Sequence, residues 1–250
     1  MSTTIPAEVG CPNCGTRQTI LIAESANVQR SPSWKRAALD GTLHKFLCDT
    51  CGLDFRVERD LLYSDLHGGI LIGAFAPTRR PEVVQLEADI AETWVQTVEV
   101  EAPPVVARYF KGPGPRVVFG LAALREKVVC FDARLDDRLI EAVKLALLEG
   151  IAGRAEAGVT DLILVEVQRS NELMLLQPVG ADGVAAGDEL LQIPFAMYRD
   201  FESTRDIVAG LLPQLFEGLW VHWSRSRPDG LLGLLPYAAP TESKTHEVAG

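Results

Sequence analysis

Short runs of alternating apolar and polar residues fill the first third of the chain, which is the pattern of half-buried β-strands. Residues 18–28 alternate in this way, and residues 54–58 repeat the period of two after a strand-like run at 43–47. Two such runs close together indicate a hairpin. Residues 69–75 are almost entirely apolar, which is typical of a buried strand, and we predict that this strand closes a small sheet.

A short helix is predicted between the strands of this region. Ser31 and Pro32 provide an N-cap and a first-turn proline, residues 34–39 continue the helix, and Asp40-Gly41 ends it. After the last strand, residues 77–81 contain two prolines and two arginines, and they are interpreted as a linker.

The remainder of the chain mixes helical and strand-like periodicity, so the sequence predicts an α+β fold. Residues 1–77 are predicted to form a small β domain with the short helix inserted, residues 82–235 an acidic companion domain of helices and antiparallel sheet, and residues 236–250 a mobile tail. The predicted helices of the companion domain are residues 81–96, 121–131, 136–149, ended by Gly150, and 195–219, interrupted near Pro213; the predicted strands are residues 116–119, 162–167, 172–177 and 189–193.

The composition is that of a folded globular protein. Of the 250 residues, 47% are hydrophobic and 23% are charged, close to the average for globular domains. Residues 1–8 lack the basic and apolar regions of a secretory signal, and no run approaches the roughly eighteen apolar residues of a membrane span. We therefore expect neither export nor a membrane span, and we expect a cytoplasmic location.

Charge is distributed unevenly along the chain. Residues 1–80 carry nine Lys+Arg and eight Asp+Glu, whereas residues 81–250 carry fifteen and twenty-six. The net charge of -10 opposes strong nonspecific binding to a phosphate backbone, which requires several cations to displace counterions. Nucleic-acid binding through the first part remains an alternative, with candidate contacts at Arg17, Arg30, Lys35, Arg36, Lys45 and Arg56.

Four of the five cysteines lie in two sequences of the form Cys-x-x-Cys-Gly. Two intervening residues let a tight turn present both sulfurs to one cation, and the glycine can adopt the positive φ that aims N–H groups at the thiolates. Four thiolates complete a tetrahedral shell and leave no open position, so we predict a structural zinc ion and a zinc-ribbon-like β domain. The predicted ligands are Cys11, Cys14, Cys48 and Cys51.

Two other interpretations of these cysteines remain open at this point. An iron ion suits the same four ligands, because thiolates do not distinguish the two metals by ligand type alone. Alternatively, one pair is a redox dithiol and the other pair is incidental.

Several single residues are further candidates, each with a simpler structural alternative. His44 and His67 lie near the cysteines and are possible ligands or proton carriers, but four thiolates already complete the shell. Tyr63 is interpreted as a core or edge aromatic, Asp65 as a turn or cap residue, and Cys130 as a small buried apolar side chain.

Two groups of residues in the second half, one acidic and one aromatic and basic, each have a possible functional role and a simpler structural one. Asp136, Asp137 and Glu141 are possible ligands of a divalent cation, but a solvated helix start is favoured. Near the C-terminus, aromatic and basic residues suit a partner interface if both indole rings are exposed. The favoured alternative is that one tryptophan packs in the core while the arginines are solvated. This cluster consists of Trp220, His222, Trp223, Arg225 and Arg227.

The order and spacing of these motifs resemble the CpXC-domain proteins of bacteria. The resemblance rests on both cysteine pairs and on the segments 24–28, 39–43, 61–65, 118–121, 124–127 and 135–138. It implies a paired-cysteine, zinc-ribbon-like domain over about residues 8–77 and a companion domain to about residue 205, and it implies no established activity. Asp49 stands where the family pattern usually has proline, so the second cysteine turn is less preorganised.

The favoured function is that of a metal-stabilised interaction or scaffold protein that binds protein partners. The reasons are the closed metal site and the lack of hydrolase, phosphate-loop, zinc-protease and dinucleotide signatures in the sequence. The alternatives are nucleic-acid binding and an enzyme whose site lies in the C-terminal domain. A cleft that gathers acidic side chains with histidine or Cys130 would favour the enzyme.

Overall fold

The computed structural model describes residues 2–100, 112–152, 158–180, 183 and 185–225, and it has the mixed α+β architecture predicted from the sequence. The predicted tail at 236–250 lies outside the described residues. The strands are β1 (Thr3–Gly10), β2 (Arg17–Asn27), β3 (Lys45–Leu47), β4 (Asp54–Arg56), β5 (Leu61–Asp65), β6 (Ile70–Phe75), β7 (Gly114–Phe119), β8 (Val159–Gln168), β9 (Leu173–Gly180) and β10 (Leu191–Pro194). The α-helices are α1 (Ser33–Leu39), α2 (Val83–Trp94), α3 (Leu121–Asp132), α4 (Asp137–Ala152), α5 (Phe195–Ser203), α6 (Arg205–Leu211) and α7 (Pro213–Phe216).

A five-stranded sheet is built in the order β1-β2-β5-β6-β7. The pairs β1–β2 and β5–β6 are antiparallel, and the pairs β2–β5 and β6–β7 are parallel. Strand β7 therefore joins the N-terminal sheet although it lies beyond residue 82, where the sequence analysis begins the companion domain. The division into two domains stays a prediction, and this shared sheet is the feature against which it must be tested.

A three-stranded antiparallel sheet in the second half confirms the prediction made for that region. Its order is β10-β9-β8, and β8 is longer at both ends than predicted. Strands β3 and β4 form a separate antiparallel hairpin, as the alternation in the first third predicts.

Helix α3 contacts strands of both sheets, namely β6 and β7 of the larger sheet and β8 of the smaller one. Its buried residues lie all around the helix, which is typical of a helix in the middle of a core. The main apolar core joins Ile72 of β6, Leu124 of α3 and Leu164 of β8. A second apolar cluster lies where α2 packs on the larger sheet, and it contains Leu71, Leu86, Ile90, Val117 and Phe119.

Two strands were missed by the sequence analysis, and both lack the expected pattern. β1 is an edge strand that contains Pro6 and is exposed at most positions, so its residues show no clear apolar face. β5 has only five residues, and its buried positions include the carboxylate of Asp65. The hairpin, β2, β6 and helix α1 were predicted as elements. The prediction that β6 closes the small sheet is wrong, because β6 lies between β5 and β7 while β3 and β4 form a sheet of their own.

Three boundaries predicted from the sequence are wrong. Residues predicted as a linker form a 3-10 helix, Pro77–Glu82. Gly150 does not end α4, which continues to Ala152. The helix predicted at 195–219 is three helices: the predicted interruption near Pro213 is confirmed, because proline can begin a helix but disrupts a helix interior, whereas the break at Thr204 was not predicted.

The helix cap predicted at Ser31 is also wrong. The N-cap position of α1 is Pro32, and no side chain caps the helix; the Ser31 hydroxyl lies 2.7 Å from that of Ser33 instead. Within the described part of the chain, no helix combines the length and the apolar character needed to cross a membrane.

Candidate metal centre

Two hairpin turns each carry a pair of cysteines, and the two turns are built in the same way. Cys11–Cys14 connects β1 to β2, and Cys48–Cys51 connects β3 to β4. In each turn the N–H of the following glycine donates to the carbonyl of the first cysteine, at 2.9 Å in both cases. Gly15 and Gly52 have φ values of 72° and 69°, which are in the left-handed region that other residues adopt only with strain.

The four sulfurs converge, although the two turns come from different hairpins. The Sγ atoms of Cys11 and Cys51 are 3.6 Å apart, as are those of Cys14 and Cys48, and all four lie within 4.8 Å of one another. Sulfurs about 2.3 Å from one tetrahedral ion would be about 3.8 Å apart. All four thiols are free, so the cluster could hold a metal ion and contains no disulfide.

Hydrogen bonds within the turns favour thiolates at two of the four sulfurs. A side-chain hydrogen bond with Thr16 lowers the pKa of Cys14 to about 6, and one with Asn13 lowers the pKa of Cys51. Backbone hydrogen bonds also favour ionisation of Cys48, but its burial and its contacts with neighbouring thiols raise its pKa to about 11. Full ionisation of the cluster therefore calls for a bound cation, whose binding releases protons.

Gln18 connects the two hairpins next to the sulfurs, and the sequence analysis did not identify it. Its Nε2 donates to the carbonyl of Leu47 at 3.2 Å, and its Oε1 accepts from the N–H of Asp49 at 3.3 Å. One cysteine of each pair is buried and the other is exposed. The cluster thus lies at the protein surface, with one side against the hairpins.

The two histidines near the cysteines do not join the cluster. His44 is buried, its Nε2 lies 3.0 Å from the Ala23 carbonyl oxygen, and burial lowers its pKa. His67 is exposed in the 3-10 segment after β5. Among the described residues, the four cysteines are the one group of His, Cys, Asp or Glu that converges tightly enough to hold an ion.

Three other candidates have the structural roles predicted for them. Tyr63 is 1% exposed, and burial raises its pKa. Asp65 caps the 3-10 segment by accepting from the N–H of Gly68, and it also accepts from Gln29 at 2.7 Å. Cys130 of α3 is 1% exposed and lies in the main apolar core, and burial raises the pKa of its thiol.

Seven ionisable side chains form a charge network around α3 and α4. Arg116 donates two hydrogen bonds of 2.9 Å to the carboxylate of Asp137, and both side chains are at most 2% exposed. The expectation of a solvated helix start is therefore wrong for Asp137 and Glu141, because cations from other elements pair with them. The buried charge network consists of Arg116, Glu126, Lys127, Asp137, Glu141, Lys144 and Asp161.

Lys144 lies in the middle of this network, 3.1 Å from a carboxylate oxygen of Glu126 and of Glu141. Glu126 also accepts from the N–H of Leu164 at 2.7 Å. The donors that contact its oxygens in the described structure are N–H groups, which favour the carboxylate, whereas burial raises its pKa. Burial opposes the ionisation of Glu141 as well, but Lys144 and Lys127 outweigh burial and lower its pKa.

The sequence carries one sign of this network that was not used. Glu126 and Lys127 follow Arg125 in the middle of a helix, and the positions on either side of these charges, Leu124, Val128 and Val129, are apolar. A charged pair in such a helix indicates partners from elsewhere in the fold. Lys144, between Val143 and Leu145 of α4, carries a comparable signal, whereas Arg116 carries none.

The aromatic residues near the C-terminus pack inside the molecule. Trp220 contacts Phe119 edge-on with ring centroids 5.4 Å apart, and the indole N–H of Trp223 donates to Asp161 at 2.7 Å. The ring of His222 contacts both indoles, and its Nε2 lies 3.2 Å from Asp161. Both indoles are half-buried, so the structure has neither the fully exposed pair nor the single core tryptophan considered from the sequence.

Most of the basic residues considered for nucleic-acid or partner binding already have intramolecular contacts. Arg56 donates to the Gly41 carbonyl at 2.7 Å, and Arg225 pairs with Glu87 at 2.9 Å rather than being solvated. Nucleic-acid binding stays an untested prediction, and Arg227 lies outside the described residues. The other pairs are Arg17 with Glu8, Lys35 with Asp132 and Lys45 with Asp54.

A cavity of about 480 Å³ lies where β7 leads into α3. Its wall includes Glu126, Glu141, Asp161 and His222, which is the gathering of acidic groups and histidine that the sequence analysis associated with an enzyme. We call it the β7–α3 cavity. A second and larger cavity, of about 800 Å³, lies beside the start of α4 and is lined by charges of both signs.

Comparison with known proteins agrees with the cysteine geometry. A family model described as CpXC protein matches residues 9–144, which span both cysteine pairs and continue through α3 into α4. A search of curated proteins found no match, and a search of solved structures found none.

Proposed function

The chain belongs to the CpXC family, and on this premise we propose that Cys11, Cys14, Cys48 and Cys51 hold one zinc ion in a closed structural site. The observation that carries this proposal is the near-tetrahedral spacing of four sulfurs from two separate turns. Protein ligands alone then fill the coordination shell, so the ion has no position for substrate or water. The two hairpins are joined through the ion, and its binding energy becomes folding energy of this region.

The proposed role of the whole protein is to bind a protein partner in the bacterial cytoplasm, where thiols stay reduced. Support comes from large apolar side chains that are exposed on the two metal-bearing hairpins. Leu21 on β2 is 66% exposed and Leu47 on β3 is 58% exposed. Ile5, on the strand paired with β2, and Leu53, just after the second cysteine turn, are also exposed. Contiguous exposed apolar patches mark interaction surfaces, and the convergence of the four cysteines brings the hairpins that carry these side chains together. The aromatic cluster at Trp220 and Trp223 is half-buried and is not part of the proposed surface.

Elemental analysis of the purified chain tests the metal proposal. We expect one zinc per chain in the wild type and in Cys130→Ala, and loss of stoichiometric zinc in Cys14→Ser. X-ray absorption at the zinc edge is expected to report four sulfur neighbours at about 2.3 Å. Stoichiometric iron with a red colour, or a disulfide in either pair, would remove zinc from this role.

Crosslinking in cells tests the interaction proposal. We expect Leu21→Ser combined with Leu47→Ser to lose the crosslinked partner while keeping zinc and the wild-type unfolding midpoint. Val84→Ser is the matched control, because Val84 is 78% exposed but lies on α2, away from the hairpins. Unchanged crosslinking in the double variant would count against this surface.

A further inference from the structure

The β7–α3 cavity has the size and lining of a small-molecule site, and it is separate from the cysteines. Its volume of about 480 Å³ lies within the range of ligand pockets in proteins. Val118, Phe119 and Val221 give it apolar walls, and the buried charge network forms its polar side. We propose that this cavity binds a small organic cation, an alkylammonium or alkylguanidinium compound, whose charge is received by Asp161 and Glu58.

The charge balance of the buried network supports a cation. The network contains three cationic side chains and four carboxyl groups, so it lacks a cation for one carboxylate when all four are ionised. A buried charge without a counter-charge is costly, and an adjoining cavity is the place from which a counter-charge can come. Asp161 is the member at the edge of the network, since its side chain is 25% exposed and lines the cavity.

Two carboxylate oxygens on the wall have capacity to receive the ligand. Oδ1 of Asp161 accepts from Leu162 and Trp223, whereas Oδ2 lies near His222 alone among the described residues. Glu58 is exposed, and its Oε2 accepts a hydrogen bond from the N–H of Leu121. Ammonium and guanidinium groups make strong, charge-assisted hydrogen bonds to such oxygens.

The same lining opposes an anionic ligand. Lys127 already directs its ammonium group to Glu141, Asp137 and the Val221 carbonyl, all within 3.2 Å. It therefore has no donor left for an anion. Arg80 is the other cation on the wall, and an anion drawn to it would still face four carboxylates.

Calorimetry and thermal unfolding with a matched set of four-carbon compounds test the proposal on the full chain. The set is butane-1,4-diamine, butylguanidinium, butane-1,4-diol and butanedioate, used at about pH 8.5 so that imidazole protonation does not supply the charge. We expect the two cations to bind and to raise the unfolding midpoint, with the diol and the dianion at least about tenfold weaker.

Three variants locate the site. Asp161→Asn removes the excess negative charge and is expected to lose the response to cations, whereas Glu166→Gln, exposed on the same strand, is expected to keep it. Ala122→Met fills the cavity without changing a charge and is expected to weaken cation binding at least about tenfold. If Asp161→Asn does not fold, the cavity-filling variant and Glu58→Gln test the site in its place. Glu58→Gln is also expected to weaken cation binding.

Equal responses to cation, diol and dianion would overturn the proposal, as would the lack of any binding by the cations. Wild-type binding in a folded Asp161→Asn or in Ala122→Met would overturn it as well, because the cations would then bind elsewhere. None of these outcomes depends on zinc, so the test is independent of the function proposed for the hairpins.

Discussion

At the scale of single residues, the main feature is how deeply charge is buried. Lys144 is 1% exposed along its side chain, and it contacts Glu126, Glu141 and Asp161. Breaking a buried pair leaves an uncompensated charge, which costs far more than breaking a pair at the surface. The residues of the network are therefore expected to be more sensitive to substitution than the many exposed ion pairs.

Lys144→Met tests this sensitivity. The variant leaves the buried Glu126 without its paired cation and Glu141 with Lys127 alone, so we expect the free energy of unfolding to fall by about 3–5 kcal/mol. Lys45→Met is the control, since Lys45 pairs with Asp54 at the surface and its loss is expected to cost about 0–1 kcal/mol. Urea unfolding of the zinc-loaded proteins measures both. Equal losses of unfolding free energy in the two variants would mean that the buried network stabilises the fold no more than a surface ion pair does.

Asp137 makes stability depend on pH in a defined direction. Burial alone would raise the pKa of this carboxyl, but Lys127 and Arg116 outweigh burial and hold it well below its usual range. As pH falls below the ordinary aspartate pKa of about 3.9, the unfolded chain takes up a proton here that the folded chain does not. The contribution of Asp137 is thus complete above that pH and is lost progressively below it.

Asp137→Asn is expected to flatten the dependence of unfolding free energy on pH between about pH 5 and pH 2. Protonation of the cysteines also acts in this range, so the quantity to compare is the difference between variant and wild type, each measured with the same metal content. Asp188→Asn, at an exposed position, is the control and should reproduce the wild-type slope. A variant slope as steep as that of the wild type would contradict the assignment.

At the scale of elements, helix α2 packs on β6 by close approach at one glycine. A Cβ at Gly73 would lie 2.6 Å from Ile90 of the helix and 2.8 Å from Phe75 of the same strand. Contacts this short cannot be accommodated without moving the helix or its side chains. The packing of α2 therefore depends on the missing side chain at this position.

Gly73→Ala is expected to lower the free energy of unfolding by about 1–3 kcal/mol through overpacking. Gly210→Ala is the matched control, because Gly210 lies in α6 and a Cβ there would have no neighbouring atom within 4 Å, so alanine should be neutral or stabilising. Denaturant unfolding measures both. A neutral Gly73→Ala would show that Ile90 can move aside without cost.

At the scale of the whole molecule, the region that contains the cysteine cluster and the rest of the chain share one sheet and one core. β7 pairs with β6 through six residue pairs, and Leu61 and Tyr63 of β5 lie in the same apolar core as Leu121 and Leu124 of α3. The family model also continues to residue 144 and so includes β7 and α3. These observations motivate a direct test of the predicted domain boundary.

A fragment of residues 1–81 is expected to bind zinc but to lack cooperative unfolding, since it loses β7 and the helix that covers its sheet. Circular dichroism and urea titration of the fragment and of the full chain, both with zinc, measure this. A fragment that unfolds cooperatively with a midpoint near that of the full chain would support the independent domain predicted from the sequence.

Local chemistry in the sequence determined the two cysteine turns and most of the strands and helices. The turns at Cys11–Cys14 and Cys48–Cys51 need only a few consecutive residues and a glycine, and strand and helix periodicity is equally local. Convergence of the two turns is a tertiary contact, and it was predicted because a tetrahedral ion takes four ligands and each turn offers two. For these features, neighbouring residues contain the information.

The tertiary structure alone decided which charges are buried and which strands share a sheet. Arg116 and Asp137 are twenty-one residues apart, and Lys127 donates to the carbonyl of Val221, ninety-four residues away. A charged residue in a sequence looks the same whether water or a distant partner solvates it, and the pattern of β7 does not say which strand it joins. The burial of charges and the pairing of strands both depend on contacts between elements far apart in the chain, and hydrophobic periodicity contains no information about such contacts.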